Sequence, residues 1–258
     1  MEMNNETPLV SVIMPAYNAA DFIEEAIASV RAQTIEEWEL FVIDDGSRDQ
    51  SYELALSFGQ IDPRIKVLRN KENMGVSKTR NRGIAMASGK YIAFLDSDDV
   101  WYPEKLQRQL EVLHSTNAAI TYCAYEIIGP SGENVKPDYL VPPMVTYQVL
   151  LKQNYIQCSA MLIKAELVKK YLFNTEYYHE DYILSLDILK EGEIAAGCTE
   201  LLLRWRYVAN SRSFDKKRSA ANRWKIYRNY LKLPFVHCVW LFIAYAIGGI
   251  KKYGLWKK

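Results

Sequence analysis

The sequence predicts an α/β fold, a mainly parallel sheet with helices on its faces, and three observations carry that expectation. Short apolar, β-branched runs alternate with stretches of helical spacing through roughly the first 115 residues, the pattern of successive βαβ units. Polar clusters at 15–18, 44–47 and 96–99 each follow one of those runs directly. The 258 residues are enough for one large domain, with or without an appendage, to bury a full core.

Leu9–Met14 is the first apolar run, cut by Pro15, and Phe22, Ile23, Ala26, Ile27 and Val30 then recur at helical spacing. Leu40–Ile43 is a second strand, closed by Asp44-Asp45-Gly46-Ser47 and followed by a helix over Gln50–Phe58. Ile65–Leu68 and Tyr91–Leu95 are the third and fourth strands, with a helix over Val76–Met86 between them and another from Glu104 to His114. Beyond about residue 115 the pattern loosens. Ala119–Ile127, Cys158–Ile163 and Glu200–Val208 read as strands, and Thr146–Lys152, Ala165–Tyr171 and Asp181–Glu191 as helices. Ser131–Glu133 reads as a turn and Val135–Pro143 as a loop. Ligands of open α/β sheets bind outside the carboxyl ends of the strands, so the three polar clusters are expected to converge on one crevice.

Asp96-Ser97-Asp98-Asp99, directly after the run Tyr91–Leu95, is the most informative segment. Carboxylates packed this closely repel one another unless a cation or a ring of donors neutralises them. Oxygen ligands of this kind suit Mg²⁺ or Mn²⁺, ions that usually bridge one or two carboxylates to a substrate's phosphates. A helix N-cap also favours acids, because Val100–Pro103 leads into the helix after Glu104; one Asp would suffice for that. Tyr17, in Pro15-Ala16-Tyr17-Asn18, offers a face for a nucleobase, a contact of about 1–3 kcal/mol. Asp45 can accept from a base or ribose, although its segment alone reads as a turn. Neither a G-x-G-x-x-G after a strand nor a G-x-x-x-x-G-K-[ST] occurs, which argues against dinucleotide oxidoreductases and P-loop phosphotransferases. Phosphate then falls to a metal and to Lys78, Arg80 and Arg82. Glu180-Asp181 opens a helix, where acids serve either as caps or as a general base.

The formal net charge of +1 hides an asymmetry: residues 1–203 carry 18 Lys and Arg against 30 Asp and Glu, and residues 204–258 carry 14 against one. A basic tail implies an anionic partner. Within it Leu233–Ile250 is mostly apolar but holds Pro234, His237 and Gly248-Gly249, leaving a helical core of about 13 residues, 235–247. That is short of the roughly 20 needed to span a bilayer. Aromatics from Trp224 to Trp256 interleaved with Lys and Arg favour a helix lying at an anionic membrane surface, the other reading being a helix packed on the domain. The four cysteines have no metal-ligand spacing and read as core thiols. Met1–Glu6 has neither a basic nor an apolar leader region, which makes the cytoplasm the expected compartment.

Taken together, Val10–Asn18, Gln33-Thr34 with Trp38-Glu39-Leu40, Ile43–Ser47, Asn73-Met74-Gly75, Arg80–Gly83, Gly89–Asp99 and Glu180-Asp181 resemble the family 2 glycosyltransferases of the GT-A fold. The likeness covers residues 8 to about 190 and is nearest to small bacterial enzymes that build O-antigen, capsule or teichuronic acid chains on lipid carriers. It implies a Rossmann-like catalytic domain over 1–214, with a nucleotide-sugar half at 8–115 and an acceptor half at 116–214; the basic, aromatic composition of 215–258 marks that stretch as a separate membrane-surface segment. It further implies that Pro15, Tyr17, Asn18, Asp45, Arg80, Asp96 and Ser97 hold a nucleotide-sugar, most simply a UDP-sugar. Asp98, with Asp96, would ligate Mn²⁺ or Mg²⁺, and Asp181, with Glu180 beside it, would be the base of an inverting transfer to a lipid-diphosphate-linked saccharide. Nucleic acid is not an expected partner. Processive relatives carry Q-x-x-R-W, whereas here Ala220 precedes Arg223-Trp224, which argues against processive polymerisation. A nucleotide-sugar pyrophosphorylase would need a Gly-rich loop after the first strand, which is absent, and a non-catalytic sugar-nucleotide-binding protein would not need acids at 96, 98 and 181.

Overall fold

The computed structural model describes residues 7–208 and 216–254. The first half alternates as expected: β1 (Val10–Ala16), α1 (Ile23–Arg31), β2 (Trp38–Asp44), α2 (Ser51–Ile61), β3 (Ile65–Arg69), α3 (Val76–Met86) and β4 (Tyr91–Phe94). Every residue of β1, β2 and β4 is buried, as continuous apolar strands must be when helices cover both faces of a parallel sheet. Gly83 lets α3 lie flat on that sheet, because a Cβ there would stand 2.7 Å from Ile13 Cγ2. Parallel pairing of β1 with β2 and β4 aligns Ala16 with Asp44 and Ile13 with Phe94. The segments that follow these strands therefore leave the sheet at one edge.

The second half is β5 (Val100–Trp101), α4 (Lys105–Thr116), β6 (Ile120–Ile128), β7 (Asn134–Tyr139), β8 (Met144–Val145), α5 (Tyr147–Lys152), β9 (Leu162–Lys164), α6 (Ala165–Tyr171), α7 (Glu180–Leu189) and β10 (Ala195–Arg206). The sheet runs β3-β2-β1-β4-β9-β6-β10-β5, with β7 on β6 and β8 on β10. Parallel pairing persists only between β6 and β10 in this half; β9, β7, β8 and β5 all pair antiparallel.

Several expected boundaries shift. Asn134–Tyr139 is a strand rather than part of a loop, an edge strand whose Asn134, Val135, Pro137 and Asp138 are exposed, so no apolar run announces it. Cys158–Ala160 forms a 3₁₀ turn, with the Gln157 side chain accepting from the Ala160 N–H at 3.1 Å, and the strand begins only at Leu162. β10 starts at Ala195, five residues before the expected Glu200, because Ala195, Ala196 and Cys198 bury as small residues against β6.

The carboxyl-terminal segment contains α8 (Lys216–Lys225), a π-helical turn at Ile226–Tyr230 and α9 (Phe235–Gly254), whose 20 residues exceed the expected core. It packs on the catalytic body. Ile226, Tyr227, Cys238 and Leu241 are buried, Tyr227 Oη donates to Leu151 O at 2.6 Å, and Tyr230 Oη donates to Asp187 Oδ2 at 2.6 Å. The expected border at 214/215 and the side chains of Tyr253, Trp256 and the closing lysines lie outside the described residues. Among the described residues no helix is long and apolar enough to cross a membrane.

Candidate active site

Tyr17, which follows β1, is 46% exposed and lines a cleft, and the turn carrying it is fixed from behind. Asn18 adopts φ +49°, its N–H donating to Ser47 Oγ at 2.9 Å and its Oδ1 accepting from the Arg48 N–H at 2.9 Å. Asp45, after β2, is almost wholly buried. Its Oδ1 accepts from Asn70 Nδ2 at 2.7 Å and the Met74 N–H at 2.9 Å, and its Oδ2 from the Gly75 N–H at 2.9 Å. The next residue must be glycine: Gly46 has φ +75°, and a Cβ there would sit 3.0 Å from the Glu72 backbone.

The acidic segment after β4 is a turn closed by the Asp99 N–H on Asp96 O, and its first residue donates to Ser159 Oγ at 3.0 Å. Arg80, buried on α3, binds Asp96 Oδ1 through Nη2 at 2.5 Å and Glu180 Oε1 through Nη1 at 2.9 Å. Asp99 turns away from the cleft and accepts the Arg206 N–H at 2.8 Å. Arg206 in turn ties the segment down, donating to Asp98 O at 2.8 Å, to the carbonyls of Gly129 and Pro130, and to Glu25. Burial, then the neighbouring charge of Asp96, pushes the Asp98 carboxyl up to about 6.

That arrangement bears on a divalent ion. Among the described residues no group of three or more His, Cys, Asp and Glu side chains is placed to hold one. Asp96 is committed to Arg80, Asp99 does not line the cleft, and Asp98 does. Asp98, the carboxylate of this turn that lines the cleft without an ion-pair partner among the described residues, suits an ion that takes its other oxygens from a substrate's phosphates and from water.

At the far side, α7 begins after His179, held at φ +66°. Glu180 is engaged by Arg80, whereas burial and the adjacent Glu180 charge raise the Asp181 carboxyl to about 6. The approach to α7 is pinned by the carboxyl-terminal segment. Asn222 on α8 exchanges two hydrogen bonds with the Tyr178 backbone, and Tyr177 meets Tyr230 edge-on at 5.5 Å.

One cleft of about 1460 Å³ is lined by all of the expected residues: Pro15, Tyr17, Asn18, Asp45, Arg80, Asp96, Ser97, Asp98, Glu180 and Asp181. Lys78 also lines it. Arg82 does not; it donates instead to Asn70 Oδ1 and Arg69 O behind the Asp45 loop. Arg80, on α3, pairs with Asp96 of the acidic segment and with Glu180. The sequence reading missed Ser159, Arg206 and Asn222. Only Arg206 had a signal, a charge at the inner end of an apolar strand; the other two act through backbone contacts that spacing does not encode.

A half-parallel, half-mixed sheet with an acidic turn at the end of its fourth strand defines the class of nucleotide-sugar transferases with the GT-A fold. The chain belongs to glycosyl transferase family 2, whose pattern matches residues 11–172, and it is a glycosyltransferase. It is 36% identical to TuaG of Bacillus subtilis, a glycosyltransferase named for teichuronic acid biosynthesis, across 97% of this chain and 99% of that protein. It is also 36% identical to the Escherichia coli UDP-Glc:alpha-D-GlcNAc-diphosphoundecaprenol beta-1,3-glucosyltransferase WfgD, across 95% of each. Among solved structures, S. aureus TarS 1–349 in complex with UDP-GlcNAc superposes with a TM-score of 0.72 at 20% identity, over 92% of this chain and 71% of that one. The mannosyltransferase PcManGT from Pyrobaculum calidifontis, in complex with GDP-Man and Mn²⁺, superposes at 0.68 and 17%, over 94% and 74%. At those identities the likeness is one of fold.

Proposed function

We propose that this enzyme moves one sugar from a UDP-sugar to a lipid-diphosphate-linked saccharide, with inversion at the anomeric carbon, during synthesis of a bacterial surface polysaccharide. The observation that carries this reading is the shared cleft, whose walls bring together Tyr17, Asp45, Asp98 and Asp181. The named substrates of WfgD support the choice of donor and acceptor classes.

In this mechanism Tyr17 stacks on the base and the rigid Asp45 loop accepts from its edge or from the ribose. Asp98 would hold Mn²⁺ or Mg²⁺, which when bound supplies positive charge to the departing diphosphate. Arg80 pairs with Asp96 and Glu180 and holds both in place. Asp181, rather than the ion-paired Glu180, takes the proton of the acceptor hydroxyl as its oxygen attacks. A raised pKa suits that task, since the group is ionised near neutrality yet basic enough to accept a proton. The absence of a Q-x-x-R-W run supports single-sugar addition.

The exposed face of α9 supports a location at the inner membrane surface. Val236, Trp240, Ile243 and Ile247 recur at helical spacing and are each at least half exposed, while Cys238 and Leu241 on another face are buried. Residues 204–258 carry 14 basic residues and one acid in sequence, of which Arg206 and Arg223 are buried, and an anionic lipid surface fits an apolar face in so basic a segment. The reading is tested by assaying transfer from UDP-, GDP- and dTDP-sugars to a short-chain lipid-diphosphate saccharide, with Mn²⁺ and with chelator. Turnover with a UDP-sugar that stops on chelation supports it; turnover only with another nucleotide, or undiminished in chelator, refutes the donor or the metal part respectively.

A further inference from the structure

Arg223 on α8 is a buried cation that the transfer step leaves unused. It is 5% exposed, and its Nε and Nη1 are buried without a hydrogen-bond partner. Its Cζ lies 3.5 Å from the centroid of the Tyr182 ring and 4.9 Å from that of Tyr245, so the guanidinium is held between the helix bearing Asp181 and α9. Among the described residues no carboxylate stands within ion-pairing distance of it; its polar neighbours are the neutral phenols of Tyr182, Tyr227 and Tyr245, of which Tyr182 and Tyr227 hydrogen-bond to it while Nε and Nη1 stay unpaired. Aromatic faces compensate a buried cation only in part. A guanidinium kept in such a place without a counter-ion is a group waiting for an anion.

The position says which anion. Arg223 forms part of the cleft wall together with Arg218 on the same helix and Phe242, Tyr245 and Gly248 on α9. α9 thus lines the cleft with one side and exposes Val236, Trp240, Ile243 and Ile247 on another. Its approach is close: a Cβ on Gly248 would meet Gln153 Oε1 at 2.7 Å, and Gln153 lines the same end of the cleft. An acceptor whose lipid chain lies along the exposed face of α9 would bring its phosphates to this wall and its glycan toward Asp181. A guanidinium presents paired N–H groups in one plane, which match phosphate oxygens two at a time.

We propose that Arg223 is the cation of a diphosphate subsite at the acceptor end of the cleft, and that its occupant is the diphosphate joining the acceptor glycan to its lipid. The proposal rests on the lipid-linked acceptor put forward above. It is tested on the full chain by titrating decyl diphosphate and, separately, UDP-sugar into the wild type, Arg223→Gln and Arg223→Lys, with melting curves alongside. Transfer to a lipid-diphosphate saccharide and to an alkyl glycoside without phosphate is measured for each. Arg223→Gln should weaken decyl diphosphate and raise the KM of the diphosphate acceptor by at least about tenfold, the scale of a lost charge-assisted hydrogen bond. Arg223→Lys, which keeps the charge and loses the planar pair, should fall between, and decides the matter should Arg223→Gln fail to fold. UDP-sugar affinity and transfer to the alkyl glycoside should stay within about twofold, since neither involves this wall. Equal loss of UDP-sugar affinity would return the cation to the donor's diphosphate and overturn the assignment. Unchanged decyl diphosphate binding in Arg223→Gln would overturn the subsite alone. Wild-type protein that transfers to the alkyl glycoside but neither binds decyl diphosphate nor uses the lipid acceptor would overturn the lipid-linked reading as well.

Discussion

Arg80 and Glu180, one hundred residues apart in the chain, are joined by a 2.9 Å ion pair that closes the donor half of the cleft onto the helix carrying Asp181. The other arm of the same guanidinium holds Asp96 at 2.5 Å. Arg80 is therefore the strut between the nucleotide-sugar end and the acceptor end, and it is shielded from solvent behind both. Arg80→Met should strand two carboxylates and lower stability by about 3–5 kcal/mol. Urea denaturation gives the number. A loss below about 1 kcal/mol would show that the pair contributes no more than a surface bridge.

The raised pKa of Asp181 sets a pH dependence. The base must be ionised to take a proton, so kcat should fall below a midpoint near the group's value of about 6 and level off above it. Burial and Glu180 push the value up, Arg80 holds it down, and Asp96 adds a smaller upward push. A pH–kcat profile under saturating substrates reads this directly; an acid limb near the ordinary Asp range would place the base elsewhere.

Much of this site was legible because β1, β2 and β4 each end in a polar cluster, and parallel register leaves those ends no other place than one edge. Tyr17, Asp45 and Asp98 could be assembled from the sequence for that reason. The acceptor half was harder. β7 is an edge strand with little burial and hence little apolar signal, and Pro137 within it reads as a break. Asn222 was invisible, since its task is to pair with the Tyr178 backbone, which any residue but proline at 178 could offer. The basic tail was read as a surface segment, and its charge bias concealed that Arg223 is buried and that α8 holds the approach to α7.

That packing changes how the tail is best tested. Removing it entirely would also remove Asn222 and Tyr230 from the segment leading to Asp181. Trp240→Glu combined with Ile243→Glu alters only exposed positions, 53% and 54% accessible. The double variant should bind anionic vesicles at least about tenfold more weakly while melting normally and transferring to a water-soluble acceptor as before. Added salt should weaken the wild type in the same assay. Wild-type protein that ignores anionic vesicles at low salt would assign the face to another contact.

Lys105 is fully buried, donates to Gln109 Oε1 at 2.6 Å and lies 4.0 Å from the centroid of the Trp101 ring. Burial drives its pKa down to about 8 from 10.5. The folded state thus disfavours the charged amine, and the stability lost to that charge is greatest below about 8 and is recovered as pH rises toward 10.5. Lys105→Met should raise the melting temperature by several degrees near neutrality, with the advantage shrinking across that window. A gap between variant and wild type that does not change with pH would mean the gain came from packing.

The central claim is that Asp181 is the general base of the transfer, and Asp181→Asn tests it most directly. The amide keeps the shape of the side chain and loses its ability to accept a proton. Single-turnover transfer from a bound UDP-sugar should fall by at least about a hundredfold, with donor affinity within about twofold of the wild type. Transfer that continues near the normal rate, or that is lost only because the donor no longer binds, would contradict the account and leave Glu180 as the group to be tried next.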